Sequence, residues 1–173
     1  MRRGGVSETV STEPTEVARE VRVRRLAYSD LPAVIAIERR SFPTPWSLAM
    51  FVLELSKPSG ICLAATAGEE LQGYLICSRY DQVWHLMNVA VAPERRRGGV
   101  AALLLTQLIE KAGGELPFTL EVRVSNQPAI AMYERFGFRS AGVEEAADPL
   151  TPIYLRPPDA ERWRERNSVD RAD

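Results

Sequence analysis

The chain has 173 residues, of which 45% are hydrophobic and 26% charged, with a formal net charge of -1. This is the balance of a soluble globular protein with one domain large enough to bury a core. It gives no global attraction to nucleic acid, so a basic site has to be local and no nucleic-acid partner is expected. The start is basic, but no apolar run follows it before Glu20. Neither a secretory signal nor a membrane span of about 18 apolar residues is written there, so the expectation is a cytoplasmic protein without a membrane partner.

Residues 1–20 are polar, rich in Ser, Thr and Glu, and without periodicity, which predicts a disordered leader. Residues 21–26 alternate as a strand. Ser29-Asp30 then offers an N-cap for a helix with Leu31, Val34, Ile35 and Phe42 on one face, stopped by Pro43 and Pro45. Ser47 caps a second helix with Leu48, Phe51, Val52 and Leu55 on a stripe. Residues 61–67 and 71–80 read as an antiparallel hairpin around Gly68-Glu69-Glu70, and residues 83–91 as a third strand.

Residues 98–112 form a helix apolar around much of its girth, ended by Gly113-Gly114. Residues 118–124 alternate as a strand, and residues 126–136 form a helix with Pro128 in its first turn and Gly137 past its end. Two strands follow, at residues 138–143 and 151–156, before a charged tail over residues 157–173. The order β-α-α-β-β-β-α-β-α-β-β implies an α/β (α+β) domain over residues 21–156, with helices on both faces of a mixed sheet.

Cys62 and Cys77 fall in strands without metal-ligand spacing, as ordinary buried, reduced thiols do. His85 is the only histidine. That excludes a multi-histidine metal site and argues against a Ser-His-Asp triad, and on a strand it reads as structural. No metal is expected.

The most informative stretch is Asn88-Val89-Ala90-Val91-Ala92-Pro93-Glu94-Arg95-Arg96-Arg97-Gly98-Gly99-Val100-Ala101. A strand ends, a basic turn follows, and glycines lead into a helix. Such a turn can aim successive backbone N–H groups at an anion, with the helix N-terminus adding about half a positive charge. Taken alone it is equally a solvated basic corner. It is no P-loop and no dinucleotide fingerprint, since neither Gly-Lys-Ser/Thr nor Gly-x-Gly-x-x-Gly is present.

Arg96-Arg97-Gly98-Gly99-Val100-Ala101 resembles the Gln/Arg-x-x-Gly-x-Gly/Ala pyrophosphate loop of GNAT acetyltransferases. Leu120-Glu121-Val122-Arg123-Val124-Ser125-Asn126, Met132-Tyr133-Glu134-Arg135-Phe136-Gly137-Phe138 and Phe42-Pro43-Thr44-Pro45-Trp46-Ser47 resemble, more narrowly, the RimI branch, which acetylates protein N-termini. The resemblance covers residues 21–156 and implies the GNAT fold, with a mixed, mostly antiparallel sheet. It implies acetyl-CoA as co-substrate and a protein N-terminus as acceptor, the N-terminal alanine of a small-subunit ribosomal protein. An acetyltransferase for protein lysines or small amines stays open as the alternative.

The resemblance also implies roles. Glu121 matches the general base, and Tyr133 the group that meets the departing CoA thiolate. Arg96, Arg97, Gly98, Gly99, Val100, Ala101 and Ala102 would hold the pyrophosphate, Val89, Ala90 and Val91 the pantetheine arm and thioester, and Asn126 the cofactor. From spacing alone, Glu121 reads as a surface carboxylate and Tyr133 as a half-buried aromatic. The RimI branch has a tyrosine pair between its last two strands. This chain has Glu144-Glu145-Ala146-Ala147-Asp148-Pro149-Leu150-Thr151-Pro152 instead, which points to looser reading of the second and third acceptor residues, with basic ones favoured.

Magnitudes test the chemistry. An α-amine with a pKa of ~7.8 is roughly one-third neutral at pH ~7.5, whereas a lysine at ~10.4 is about 0.1% neutral. A glutamate at ~4.3 is a weak base for either, unless burial raises it or water relays the proton.

Overall fold

The structure is a computed structural model, described here for residues 20–141 and 153–157. In chain order the elements are β1 (Val21–Arg25), α1 (Leu31–Ser41), α2 (Leu48–Ser56), β2 (Ile61–Ala67), β3 (Glu70–Tyr80), β4 (Val83–Val91), α3 (Val100–Ala112), β5 (Phe118–Glu121), α4 (Gln127–Arg135), β6 (Arg139–Ser140) and β7 (Ile153–Arg156). Short 3₁₀ turns at Tyr28–Asp30 and Pro93–Arg95 precede α1 and follow β4.

The strands form one sheet in the order β1-β2-β3-β4-β5-β7-β6. All neighbours are antiparallel except β4 and β5, which run parallel. The connection between those two is α3, the crossover that a parallel pair requires. The mixed sheet expected from the element order is therefore present, mostly antiparallel as the GNAT resemblance implies, with a helical layer on each face.

Each face has its own core. Leu63, Leu75, Trp84, Leu86, Phe118 and Leu120 pack against Leu104, Leu105 and Leu108 of α3 and against Ile130 and Tyr133 of α4. On the other face Cys62, Ala64, Tyr74, Ile76 and Ala90 pack against Leu31, Val34 and Ile37 of α1 and Phe51 of α2. Strand alternation sorts the residues between the two. Cys62 and Cys77 are buried and unbridged, one in each core, and burial pushes the Cys62 thiol up to about 11.

Two departures from strict alternation shape the middle of the sheet. The β3–β4 register passes from Ile76↔Asn88 to Cys77↔Leu86, so Met87 is an extra residue in β4. This bulge turns Asn88 and Ala90 toward α1 and Val89 and Val91 toward α3. At the far end, a Cβ on Gly73 would stand 2.8 Å from the Ala90 carbonyl oxygen and 3.3 Å from Val91 Cα. Only glycine lets β3 run that close to the end of β4.

The expected elements are present, with shifted ends. The helix expected from residue 98 begins at Val100, because Gly99 is its N-cap. The strand expected over residues 118–124 ends at Glu121. Its ladder with β4 stops at Leu86↔Leu120 and that with β7 at Glu121↔Ile153, so later residues have no partner to pair with. Of the strand expected over residues 138–143, Arg139–Ser140 is paired, and of that over 151–156, Ile153–Arg156. The proposed leader up to residue 19, the tail beyond residue 157 and the Glu144 to Pro152 segment lie outside the described residues.

Candidate active site

The site begins where the parallel pair opens. Strands β4 and β5 share the rungs Trp84↔Phe118, His85↔Thr119 and Leu86↔Leu120, and then part. Beyond Leu86, β4 continues to Val91 with β3 on one side. Among the described residues no strand flanks its other edge, so the backbone of residues 87–91, including Val89, Ala90 and Val91, borders a gap in the sheet.

The turn after β4 makes the floor of that gap. Arg97 and Gly99 are left-handed, with φ of 66° and 77°, and Gly98 lies between them. Alternation of hand makes successive N–H groups converge on one concavity, the arrangement that holds anions. Leu103 N–H is the first of α3 to be returned to the turn, bonding Gly99 O at 2.9 Å. Arg96 and Arg97 form a tight turn that directs the Gly98 N–H back toward Arg95, while the N–H groups of Gly99, Val100, Ala101 and Ala102 have no backbone acceptor among the described residues. Four consecutive donors at a helix N-terminus fit a pyrophosphate. A Cβ on Gly99 would meet nothing within 4 Å, so conformation and not crowding within the chain keeps glycine there.

The three arginines of the turn differ. Arg95 pairs with Glu70 at 3.3 Å. Arg96 donates from Nε to the Val91 carbonyl at 3.1 Å and from its guanidinium to Ser41 Oγ at 3.1 Å, bracing the turn against β4 and α1. Arg97 has no hydrogen-bond or ion-pair partner among the described residues, leaving its charge available at the concavity.

Glu121 and Tyr133 flank the opening from opposite faces. Glu121 follows Thr119 on the face covered by α1 and α2, and it is exposed. Tyr133 is 6% exposed on the α3–α4 face, with its ring 5.7 Å from that of Phe138. Burial pushes its phenol above the ordinary range. Its hydroxyl makes no hydrogen bond among the described residues. Asn126 caps α4, its Oδ1 accepting from Ala129 N at 3.4 Å, which leaves its amide nitrogen to donate to a ligand.

One group was not singled out by the sequence. Glu38 of α1 is 1% exposed. It accepts from the Tyr74 hydroxyl, from Asn88 Nδ2 at 3.2 Å and from the Trp46 backbone N–H at 2.8 Å. The carboxylate thereby ties the loop between α1 and α2 to β3 and to the start of the open segment of β4. Its signal was a glutamate at the i+7 position of the stripe begun by Leu31 and Val34. Among the described residues no three His, Cys, Asp or Glu side chains are grouped as a metal would need, and no helix is long and apolar enough to cross a membrane.

The opened sheet, the donor-lined turn and the sequence that forms them define an acyltransferase scaffold. Residues 31–138 match the Acetyltransferase (GNAT) family, and the chain belongs to that family. It is 35% identical over 120 residues to the [ribosomal protein bS18]-alanine N-acetyltransferase of Salmonella typhimurium, spanning 68% of this chain and 80% of that protein. Against the enzyme of the same name from Escherichia coli K12 it is 32% identical over 131 residues, 75% of this chain and 88% of the relative. The crystal structure of the E. coli ribosomal-protein-S18-alanine N-acetyltransferase superposes with a TM-score of 0.71 at 28% identity, covering 81% of this chain and 95% of that one.

Proposed function

We propose that the chain transfers the acetyl group of acetyl-CoA to the N-terminal α-amine of a protein, with an N-terminal alanine of a small-subunit ribosomal protein as the acceptor. The observation that carries this reading is the gap between β4 and β5 with Glu121 on one face and Tyr133 on the other. A thioester lying in that gap meets the amine on the Glu121 side and releases its sulfur on the Tyr133 side. The relatives named for alanine N-acetylation support the choice of acceptor.

In this reading the N–H groups of Gly99 to Ala102 and the Arg97 charge hold the pyrophosphate, and Arg96 keeps the turn in place. The backbone of Val89, Ala90 and Val91 lines up the pantetheine arm and polarises the thioester carbonyl. Asn126 orients the start of α4 toward the cofactor. The amine attacks the carbonyl carbon directly in a ternary complex, forming the amide bond as the C–S bond breaks, and Glu121 receives the amine's proton. Tyr133 donates a hydrogen bond to the developing thiolate. A thiolate whose thiol has a pKa of ~8.5 takes no full proton from a phenol of ~10 or higher without an uphill step, so stabilisation by the hydrogen bond is the useful contribution. Holding amine and thioester together supplies much of the acceleration. No step needs a metal.

The test is release of CoA thiol with peptides that begin with a free alanine, against the same peptides Nα-blocked and carrying one internal lysine. Turnover confined to the free α-amine is expected. Equal turnover of the lysine peptides would replace this reading with the lysine alternative.

A further inference from the structure

The sheet face that carries the exposed Glu121 also carries an imidazole. His85 of β4 pairs with Thr119 of β5, and its Nδ1 lies 2.6 Å from Thr119 Oγ1. Glu121 is two residues beyond Thr119, so it projects from the same face one rung further on. His85 and Glu121 thus bracket, diagonally, the last rung before the strands part at Leu86↔Leu120. The hydrogen bond to Thr119 fixes the ring and leaves Nε2 as its second nitrogen.

We propose that His85 is the terminal acceptor of the proton that the α-amine loses, received through the Glu121 carboxylate. This deepens the N-terminal acetyltransferase reading and rests on it. In the step, the amine nitrogen bonds to the acetyl carbon and the C–S electron pair leaves on sulfur. The nitrogen's proton passes to Glu121 and on to Nε2 of His85. The resulting imidazolium stands beside the regenerated carboxylate, and the thiolate is held by Tyr133. After product release the imidazolium returns its proton to solvent and the thiolate takes one up.

Two features suit His85 to this place. An imidazole nitrogen can take up a proton at neutral pH and hand it back to solvent. Burial lowers the His85 value, which keeps the ring neutral and accepting at neutral pH, while the Glu121 charge acts in the opposite sense and favours the imidazolium once formed. The charged groups that face the ring are Glu121 from β5 and, beyond its partner Ser78 on β3, the Glu54–Lys57 pair of α2, joined at 2.7 Å. That pair is internally neutralised, so Glu121 is the carboxylate that matters.

The experiment compares full-length wild type with His85→Gln, His85→Ala and Thr119→Val, using an alanine-leading peptide and acetyl-CoA across pH 5.5–9. Wild-type turnover on that peptide establishes the underlying reading, and its absence would remove that reading rather than the role of His85. For His85→Gln, kcat is expected to fall about 10²-fold with KM for acetyl-CoA unchanged. The acid limb of kcat, where His85 becomes protonated, should move toward the carboxylate range. Imidazole added to His85→Ala should restore at least about 10-fold of the lost rate, which a purely structural histidine would not allow. Thr119→Val should give an intermediate loss, because the ring loses its orientation. A folded His85→Gln enzyme with the wild-type rate and acid limb overturns the proposal, as does an unrescued His85→Ala enzyme whose melting temperature equals that of wild type.

Discussion

The carboxylate of Glu38 accepts the backbone N–H of Trp46 at 2.8 Å and, at 3.2 Å, the side-chain amide of Asn88. One buried group therefore sets the spacing between the loop joining α1 and α2 and the strand that borders the gap. Glu38→Ala would strip two buried donors and one part-buried donor of their acceptor, each buried loss costing about 1–3 kcal/mol, so a melting temperature lower by many degrees is expected. Glu38→Gln keeps an oxygen for Trp46 and should fold. Its KM for peptide should rise several-fold, while KM for acetyl-CoA stays near wild type. Parallel rises in both would mean that Glu38 serves stability alone.

The basic turn yields a contrast between neighbours. Arg97→Ala should raise KM for acetyl-CoA by about 10-fold, and the gap from wild type should narrow at high salt, since one exposed charge on a phosphate is removed. Arg95→Ala removes an exposed pair with Glu70 and should leave that KM within about two-fold. The reverse ranking, measured by initial rates or calorimetry, would place the pyrophosphate elsewhere.

Gly99 is held at φ 77°. Gly99→Ala should cost about 1 kcal/mol of stability from conformation alone, and Gly99→Val more, because β-branched residues resist the left-handed region. Either change should also raise KM for acetyl-CoA by tilting the N–H groups of the turn. Thermal melts alongside kinetics separate the two effects. Altered stability with intact cofactor affinity would remove Gly99 from the binding site.

Tyr133→Phe keeps the ring packed against Phe138 and removes only the hydroxyl. Turnover should fall by about 10-fold or more with little change in cofactor affinity, since the hydroxyl acts as the thiolate forms. Equal losses in binding and turnover would make the tyrosine structural.

Much of the fold was legible because the two periodicities are clean. Alternation in β4 and the all-round apolar α3 flank the turn, and the glycine pair marks where one becomes the other. The ends were less legible because they depend on partners. Nothing in Val122 or Val124 says that β4 has already left the ladder. Glu38 was passed over because a carboxylate on a helix normally faces water, and its three donors come from residues 8, 36 and 50 positions away. The pairing of His85 with Thr119 was not legible because it arises only through a parallel ladder closed by the α3 crossover. That Arg96 contacts Val91 and Ser41 while Arg97 has no partner among the described residues is a distinction that spacing does not carry.

The central claim is that Glu121 takes the proton from an α-amine at the gap between β4 and β5. Its most direct test is Glu121→Gln, assayed by single-turnover transfer from acetyl-CoA to an alanine-leading peptide across pH 6–9, with acetyl-CoA affinity measured separately. The account predicts a rate lower by about 10²-fold at neutral pH and unchanged affinity, with recovery toward high pH as more of the amine is already neutral. A folded variant with wild-type rates across that range would contradict it.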